Sequence, residues 1–319
     1  MSRTVSENRI SRRLRFRDLQ VFFSVVQSGS MAKAALELGV TQPAVSEVVA
    51  GLEHAFGVRL FDRSPHGVEP TIYGRALLKR GVAAFDELRQ GIRDIEFLVD
   101  PTKGEVRIGC ADSLAGGLLA PCVQKFCRRY PGVVITIEPV QWPTLELPEL
   151  HARQLDVVLS RLSKPQADDP FGDGLDVEIL FEDEAIVAAG ANSRWARRRK
   201  ITLADLRDAS WVGTARGTLT RTLLDRVHQS ANLSPPAMRV TTYSVQLRAH
   251  LLATGDFLTA MPKSMLKLNA ECRRLKQLPV RLPGPSFPVA IVTLKGRTLT
   301  SAVGLFLDML RKHVRELGL

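Results

Sequence analysis

"SMAKAALELGVTQPAVSEVVAGLE", residues 30–53, contains two helix-forming runs parted by Gly39. Ser30 is a residue type that caps helices, and Ala34, Ala35 and Leu38 make a small apolar face over residues 31–38. Gly39 supplies the left-handed position that ends such a helix. Thr41 then caps a third helix, where Pro43 is tolerated because the amide proton it lacks would be unpaired in a first turn anyway. Val45, Val48, Val49 and Leu52 follow the i, i+3, i+4, i+7 rule, leaving Gln42, Pro43, Ser46, Glu47 and Ala50 on the opposite side. Alanines let two helices cross closely, and a compact polar start suits a helix that enters a major groove about 12 Å wide. A plain helical hairpin would show the same caps and spacing, so the flanking sequence decides.

On the amino-terminal side, Leu19, Phe22, Phe23 and Val26 recur at helical spacing, so residues 17–27 read as a helix closed by Ser28-Gly29. On the other side, "VRLFDRSPHGVEPT" alternates apolar Val58, Leu60 and Val68 with polar residues and reads as a two-stranded wing turning near Pro65 to Gly67. Arg59, Arg63 and His66 on such a ribbon suit phosphate or minor-groove contact. Thr71 caps a helix over residues 72–99. Its Leu78, Phe85, Ile92 and Val99 fall seven apart, with Gly81, Leu88 and Ile95 at the offset of three. Such a seam faces either its own chain or a partner helix; the latter would hold two DNA-reading heads at a fixed separation.

"DPTKGE", residues 100–105, is a turn-rich break and the expected domain boundary. Beyond it strands such as "EVRIGC", "GVVITIEPV" and "DVVLS" alternate with helices through to a last strand "PVAIVTL" and a helix over 298–317. That alternation predicts α/β sheets with a parallel core, and about 215 residues suit two lobes. "KPQADDPFGDGLD", residues 164–176, is the expected crossing between them.

A net charge of +11 over 319 residues favours a polyanionic partner, and residues 1–80 carry twelve Lys and Arg against seven Asp and Glu. The run Arg197 to Lys200 reads as a solvated loop. Four cysteines, Cys110, Cys122, Cys127 and Cys272, lack the paired spacing of a zinc site or disulfide framework, so they read as small apolar core residues in a reducing compartment. Neither a signal sequence nor a membrane-length apolar run is seen, so a cytoplasmic location without membrane contact is expected. The G-x-S-x-G, H-E-x-x-H, Walker A and G-x-G-x-x-G patterns are missing, which argues against an enzyme; neither a catalytic group, a metal nor a cofactor is expected. An exported solute-binding protein would share the α/β lobes but would need a signal peptide.

The run "RDLQVFFSVVQSGSMAKAALELGVTQPAVSEVVAGLEHAFGVRLFDR", followed by "GVEPTIYG", resembles the winged helix-turn-helix head of LysR-type transcriptional regulators. The long helix, "GEVRIGCADSLAGGLLAPCVQKFCRRYPGV", "LDVVLSRL" and "HLLATGDFLTAMPKSM" resemble the same family in its usual order, from residue 16 onward. The resemblance implies a winged helix-turn-helix over 16–73, a linker helix and hinge over 74–103, and a two-lobed effector-binding domain over 104–319, like a periplasmic binding protein. It assigns 104–162 and 265–319 to the first lobe and 163–264 to the second. It also implies bacterial transcription control by a DNA-binding homodimer, commonly a tetramer, with RNA polymerase a further partner. The chain departs from the family's usual pattern at acidic Glu47 and at Pro70 and Ile72. The basic residues 1–15 extend beyond the usual start, as a disordered or a minor-groove-contacting arm.

Gln42, Pro43, Ser46 and Glu47 are the base-edge candidates; Gln42 suits adenine, and Glu47 either accepts from cytosine N4 or faces solvent. Ser30, Thr41, Arg59, Arg63 and Thr71 are phosphate candidates. The dimer-helix candidates are Leu78, Phe85, Leu88, Ile92 and Ile95. In a two-lobed fold the ligand sits where strand ends and helix N-termini converge, which singles out Asp112, Ser113, Thr214, Arg216 and Thr218. The resemblance adds Trp142 at the cleft entrance. Arg216 points to an anionic effector such as a carboxylate.

Overall fold

The computed structural model describes residues 14–64, 67–100, 103–140, 147–162 and 174–319, and the chain divides into two compact units between Arg89 and Gln90. The basic extension up to residue 13, His66, Trp142 and most of the expected 164–176 crossing lie outside the described residues.

The first unit is built on α1 (Phe16–Ser28), α2 (Met31–Leu38) and α3 (Gln42–Phe56), followed by the antiparallel pair β1 (Phe61–Ser64) and β2 (Gly67–Pro70). All three helices end on a left-handed glycine, Gly29, Gly39 and Gly57. Phe22, Val25, Ala34, Val45, Val49 and Leu52 bury together with Leu60 and Phe61, while Val48 is half-buried at the rim. The wing is pinned to this core by polar bonds. Glu53 Oε1 accepts from the Leu60 and Phe61 amides at 2.7 and 3.3 Å, and the Val68 amide donates to Gly29 O at 3.0 Å.

Helix α4 (Ile72–Val99) leaves the wing with Thr71 at its head: Thr71 Oγ1 accepts from the Gly74 amide at 3.1 Å. Its apolar seam is divided. Gly81 packs on the Phe23 ring, Leu78 joins the first core, and the half-buried Phe85 meets Phe16 and Phe23 edge-on at 5.3 and 5.4 Å between centroids. Leu78 and Phe85, both expected in the dimer helix, are thus half-buried against their own chain, Phe85 on α1 and Leu78 on the first core. Leu88, Ile92 and Ile95 stay exposed at 48, 57 and 63%.

The last turns of α4 belong to the second unit, which is why the division falls inside the helix rather than at residues 100–105. Phe97 is buried in that unit's core, Arg93 pairs with Glu105 at 3.3 Å, and Asp94 accepts from the Ser301 amide at 2.8 Å.

The second unit holds two five-stranded sheets among its described residues. The first sheet runs β4 (Val133–Pro139), β3 (Gly104–Cys110), β5 (Val157–Arg161), β12 (Phe287–Leu294), β6 (Leu175–Asp183), parallel across β4-β3-β5 and antiparallel around β12. Alternate residues of its central strands enter different cores. Val157, Leu159, Val289 and Ile291 join Leu118, Phe126, Phe306 and Leu310, whereas Val158, Ala290 and Val292 join Leu150 and Leu155 on the other face. Helices α5 (Asp112–Leu114), α6 (Ala120–Arg129) and α11 (Ser301–Glu316) supply the first layer and α7 (Pro148–His151) the second. A π-helical stretch, Ala115–Leu119, separates α5 from α6 just before Pro121, which has no amide proton to continue the ladder.

The second sheet runs β11 (Leu275–Gln277), β7 (Ala185–Gly190), β10 (Phe257–Pro262), β8 (Ser210–Gly213), β9 (Met238–Thr241). Helices α8 (Leu219–Ser230) and α9 (Val245–Ala253) pack on it, and the short α10 (Lys263–Leu268) follows β10. The lobe limits expected from the resemblance need correction. Strand β6 pairs with β12 along eight residue positions and so belongs to the first sheet, not the second lobe; β11 pairs with β7 and belongs to the second. The outward crossing is Glu184 alone, between Asp183 and Ala185, and the return crossing lies between Gln277 and Phe287.

Candidate functional site

The first candidate surface is the start of α3. Thr41 accepts from the Ala44 amide at 3.4 Å, Pro43 occupies the first turn, and burial of Val45, Val49 and Leu52 turns the other face outward. Gln42, Pro43 and Glu47 are exposed, and Ser46 is half-buried. Arg59 and Arg63 are exposed beside and on β1. The phosphate candidates separate by where their protons go. Ser30 and Thr41 accept from their helix amides, which leaves each hydroxyl proton available to a phosphate. Thr71 instead donates its proton to Arg59 O at 2.8 Å, which ties the wing to α4. His66 lies outside the described residues.

The second candidate surface is a cleft of about 310 Å³ between the two sheets. Asp112, Ser113, Thr214 and Thr218 line it as expected. Trp142 is outside the described residues, and Arg216 is exposed and absent from the lining. The reason is local: Arg216 sits in the turn before α8, ahead of Gly217 at φ +88°, while Thr218 and Leu219 at the helix start reach the cleft. Pro139, Val140, Leu219 and Pro262 give it apolar walls.

Two buried arginines also line this cleft, and sequence reasoning missed both. Arg161, at the end of β5, is 7% exposed. Its Nε donates to Asp183 Oδ2 at 2.9 Å, Nη1 to Ser113 Oγ at 2.7 Å and Nη2 to Ser264 Oγ at 2.8 Å. Asp183 in turn accepts from the Ser264 amide and hydroxyl. One guanidinium thus ties the ends of β5 and β6 to the start of α10, at the place where Glu184 crosses and Lys263 forms an ion pair with it. Burial pulls the Arg161 pKa down, and the Asp183 carboxylate pulls it back up.

Arg248, on α9, is 4% exposed and differs in kind. Its hydrogen-bond partner among the described residues is Met265 Sδ at 3.7 Å, and its Nε has none. Asp112 Oδ2 is engaged by the Val245 amide at 3.0 Å, so this carboxylate caps α9 from the first sheet's side. Thr214 Oγ1 and Thr218 Oγ1 lie 2.6 Å apart, and Thr218 donates to Ala215 O at 2.9 Å. Since a threonine has one hydroxyl proton, Thr214 is the donor of the pair, and both protons are engaged within the chain.

Three of the cysteines, Cys110, Cys122 and Cys272, are buried as expected, but Cys127 is exposed. Burial pushes the Cys110 and Cys122 thiols up to about 12 and Cys272 to about 11, so all three stay protonated. Among the described residues no helix is long and apolar enough to cross a membrane.

Comparison with known proteins adds two domain matches: residues 16–75 match the bacterial regulatory helix-turn-helix protein, lysR family, and residues 100–315 match the LysR substrate binding domain. The chain is 26% identical over 304 residues to the uncharacterized HTH-type transcriptional regulator YdcI of Escherichia coli strain K12, covering 95% of this chain and 97% of that one. It is 28% identical over 297 residues to the HTH-type transcriptional regulator TdcA of the same organism, covering 92% of each. Among solved structures, full-length CbnR complexed with its target DNA has the same fold, with a TM-score of 0.58 at 19% identity over 94% of this chain and 100% of that one. These matches span both units, and the family is one of transcriptional regulators, not enzymes. The chain belongs to the lysR family: it is a DNA-binding transcriptional regulator with a helix-turn-helix head and a C-terminal effector-binding domain.

Proposed function

We propose that the regulator reads promoter DNA through the first two turns of α3 and alters that engagement when a small effector occupies the cleft between its two sheets. The observation that carries this reading is the outward start of α3: Gln42, Pro43 and Glu47 are exposed above a buried Val45, Val49 and Leu52. Gln42 pairs with an adenine edge, Glu47 receives a cytosine N4 or faces solvent, and Arg59, Arg63, Ser30 and Thr41 hold phosphates. The exposed Leu88, Ile92 and Ile95 support a homodimer through α4, and the reading extends to a tetramer, RNA polymerase contact and a cytoplasmic location.

The test is mobility shift on the fragment upstream of the regulator's own gene, with and without base changes. Gln42→Ala is expected to lose about 1–3 kcal/mol of discrimination at one base pair while keeping nonspecific affinity. Arg63→Ala is expected to weaken every sequence alike and to lower the salt slope by about one. Unchanged base preference for Gln42→Ala removes that residue from the reading set; a site-specific loss for Arg63→Ala reverses the assignment.

A further inference from the structure

We propose that the cleft takes a small monocarboxylate whose carboxylate group is received by the guanidinium of Arg248. The inference rests on the cleft being the effector site and names the ligand class for it. Four observations converge on Arg248. It lines the cleft and is 96% buried, yet among the described residues neither carboxylate nor carbonyl bonds to it. Its Nε is an unpaired buried donor. The other cation in the cleft, Arg161, is bonded at each of its three nitrogens, to Asp183, Ser113 and Ser264. The hydroxyl protons of Thr214 and Thr218 are held within the chain, so these residues offer lone pairs to a ligand, not protons.

An unpaired buried guanidinium is costly, and a protein keeps one where a ligand completes it. A carboxylate fits the planar fork with two parallel bonds. Asp112 is the nearby counter-charge, but it is bonded to the Val245 amide and forms no ion pair with Arg248. Burial holds the Arg248 pKa below its ordinary value, with Cys272 and Asp112 acting the other way and Arg161 adding to the fall. A cleft of about 310 Å³ with walls of Pro139, Val140, Leu219 and Pro262 suits a short apolar tail behind the carboxylate.

The test uses the full chain and an isosteric pair of probes, butyrate and its neutral amide butyramide, followed by thermal unfolding at constant ionic strength. Butyrate is expected to raise the midpoint of the wild-type protein and butyramide to leave it unchanged. Arg248→Met is expected to weaken butyrate by about tenfold to a hundredfold, the loss of a charge-assisted contact. It is also expected to raise the ligand-free midpoint, because it removes a buried charge without a partner; a structural arginine would lower it instead. A third variant, Thr218→Trp, fills the cleft. A butyrate shift kept in Arg248→Met but lost in Thr218→Trp overturns the anchor while the cleft stands. A shift kept in both variants overturns the cleft reading itself. Absence of any butyrate shift in the wild type, or an equal response to butyramide, overturns the carboxylate proposal.

Discussion

Arg161 and Arg248 illustrate how one residue type does two jobs within one cleft. Arg161 has three oxygen partners and ties strand ends together, whereas Arg248, whose hydrogen-bond partner among the described residues is one sulfur, is the proposed receptor. Neither role is visible in sequence. "LSRL" presents Arg161 as the exposed end of a strand, and its counter-charge, Asp183, is brought to it only by the pairing of β6 with β12. Arg248 falls among "VQLRAHLLA", where a charged residue reads as part of a solvated face. Asp112 and Ser113 were legible because a strand followed by a polar helix start is a local pattern. His313, on α11, makes a testable case: both ring nitrogens are buried and have no hydrogen-bond partner among the described residues. Burial pulls its pKa below 6.5, with Lys125 acting the same way and Glu316 opposing. The folded chain therefore binds fewer protons here than the unfolded chain, and stability falls as pH drops through about 6.5. His313→Leu is expected to flatten the loss of melting temperature between about pH 7.5 and 5.5 relative to the wild type. Parallel curves for the two proteins would show that His313 contributes nothing to the acid limb.

At the scale of elements, α4 is where pattern reading gave the extent and left the partners open. Its limits, residues 72–99, followed from unbroken helix-forming sequence after a Thr cap. The seven-residue repeat did not reveal that Phe16 and Phe23 of the same chain cover Phe85, since periodicity gives the face of a helix but not what meets it. Strand β6 escaped notice for a related reason: "LDVEILFED" carries acids at 176, 178, 182 and 183 on an edge strand, so its apolar signal is weak, and its assignment depends on β12 more than a hundred residues later. The glycines of α4 give the sharper prediction. A Cβ on Gly74 would lie 2.2 Å from the carbonyl oxygen of Leu60, which already accepts the Thr71 amide at 2.9 Å. Backbone held at both ends cannot yield, so Gly74→Ala is expected to destabilise the first unit by about 1–3 kcal/mol, although alanine is the better helix former by roughly 1 kcal/mol. Urea unfolding followed by helix signal reads this; a neutral or stabilising effect would mean that the wing shifts freely.

At the scale of the whole molecule, the proposed homodimer would give the regulator two reading heads, one for each half-site. Helix α4 leaves Leu88, Ile92 and Ile95 exposed together with Leu98 and Val99, a run of large apolar residues more readily explained by a covering surface than by solvent. Two such helices side by side would bury this stripe and fix two reading heads, and half-sites on one face of DNA lie about 34–36 Å apart or at multiples of that. Ile92→Asp places a carboxylate in the seam, where burial of an unpaired charge costs several kcal/mol, twice over in a symmetric pair. The variant is expected to sediment as a monomer and to lose at least about tenfold in affinity for a two-half-site fragment, while a single half-site binds as before. Its own fold should survive, because Ile92 is 57% exposed within the chain. The butyrate response of the cleft should survive as well, separating pairing from effector capture. A sedimentation profile of the variant identical to that of the wild type would move the interface off α4, and loss of single half-site binding would place Ile92 in the folding of the chain and not in its pairing.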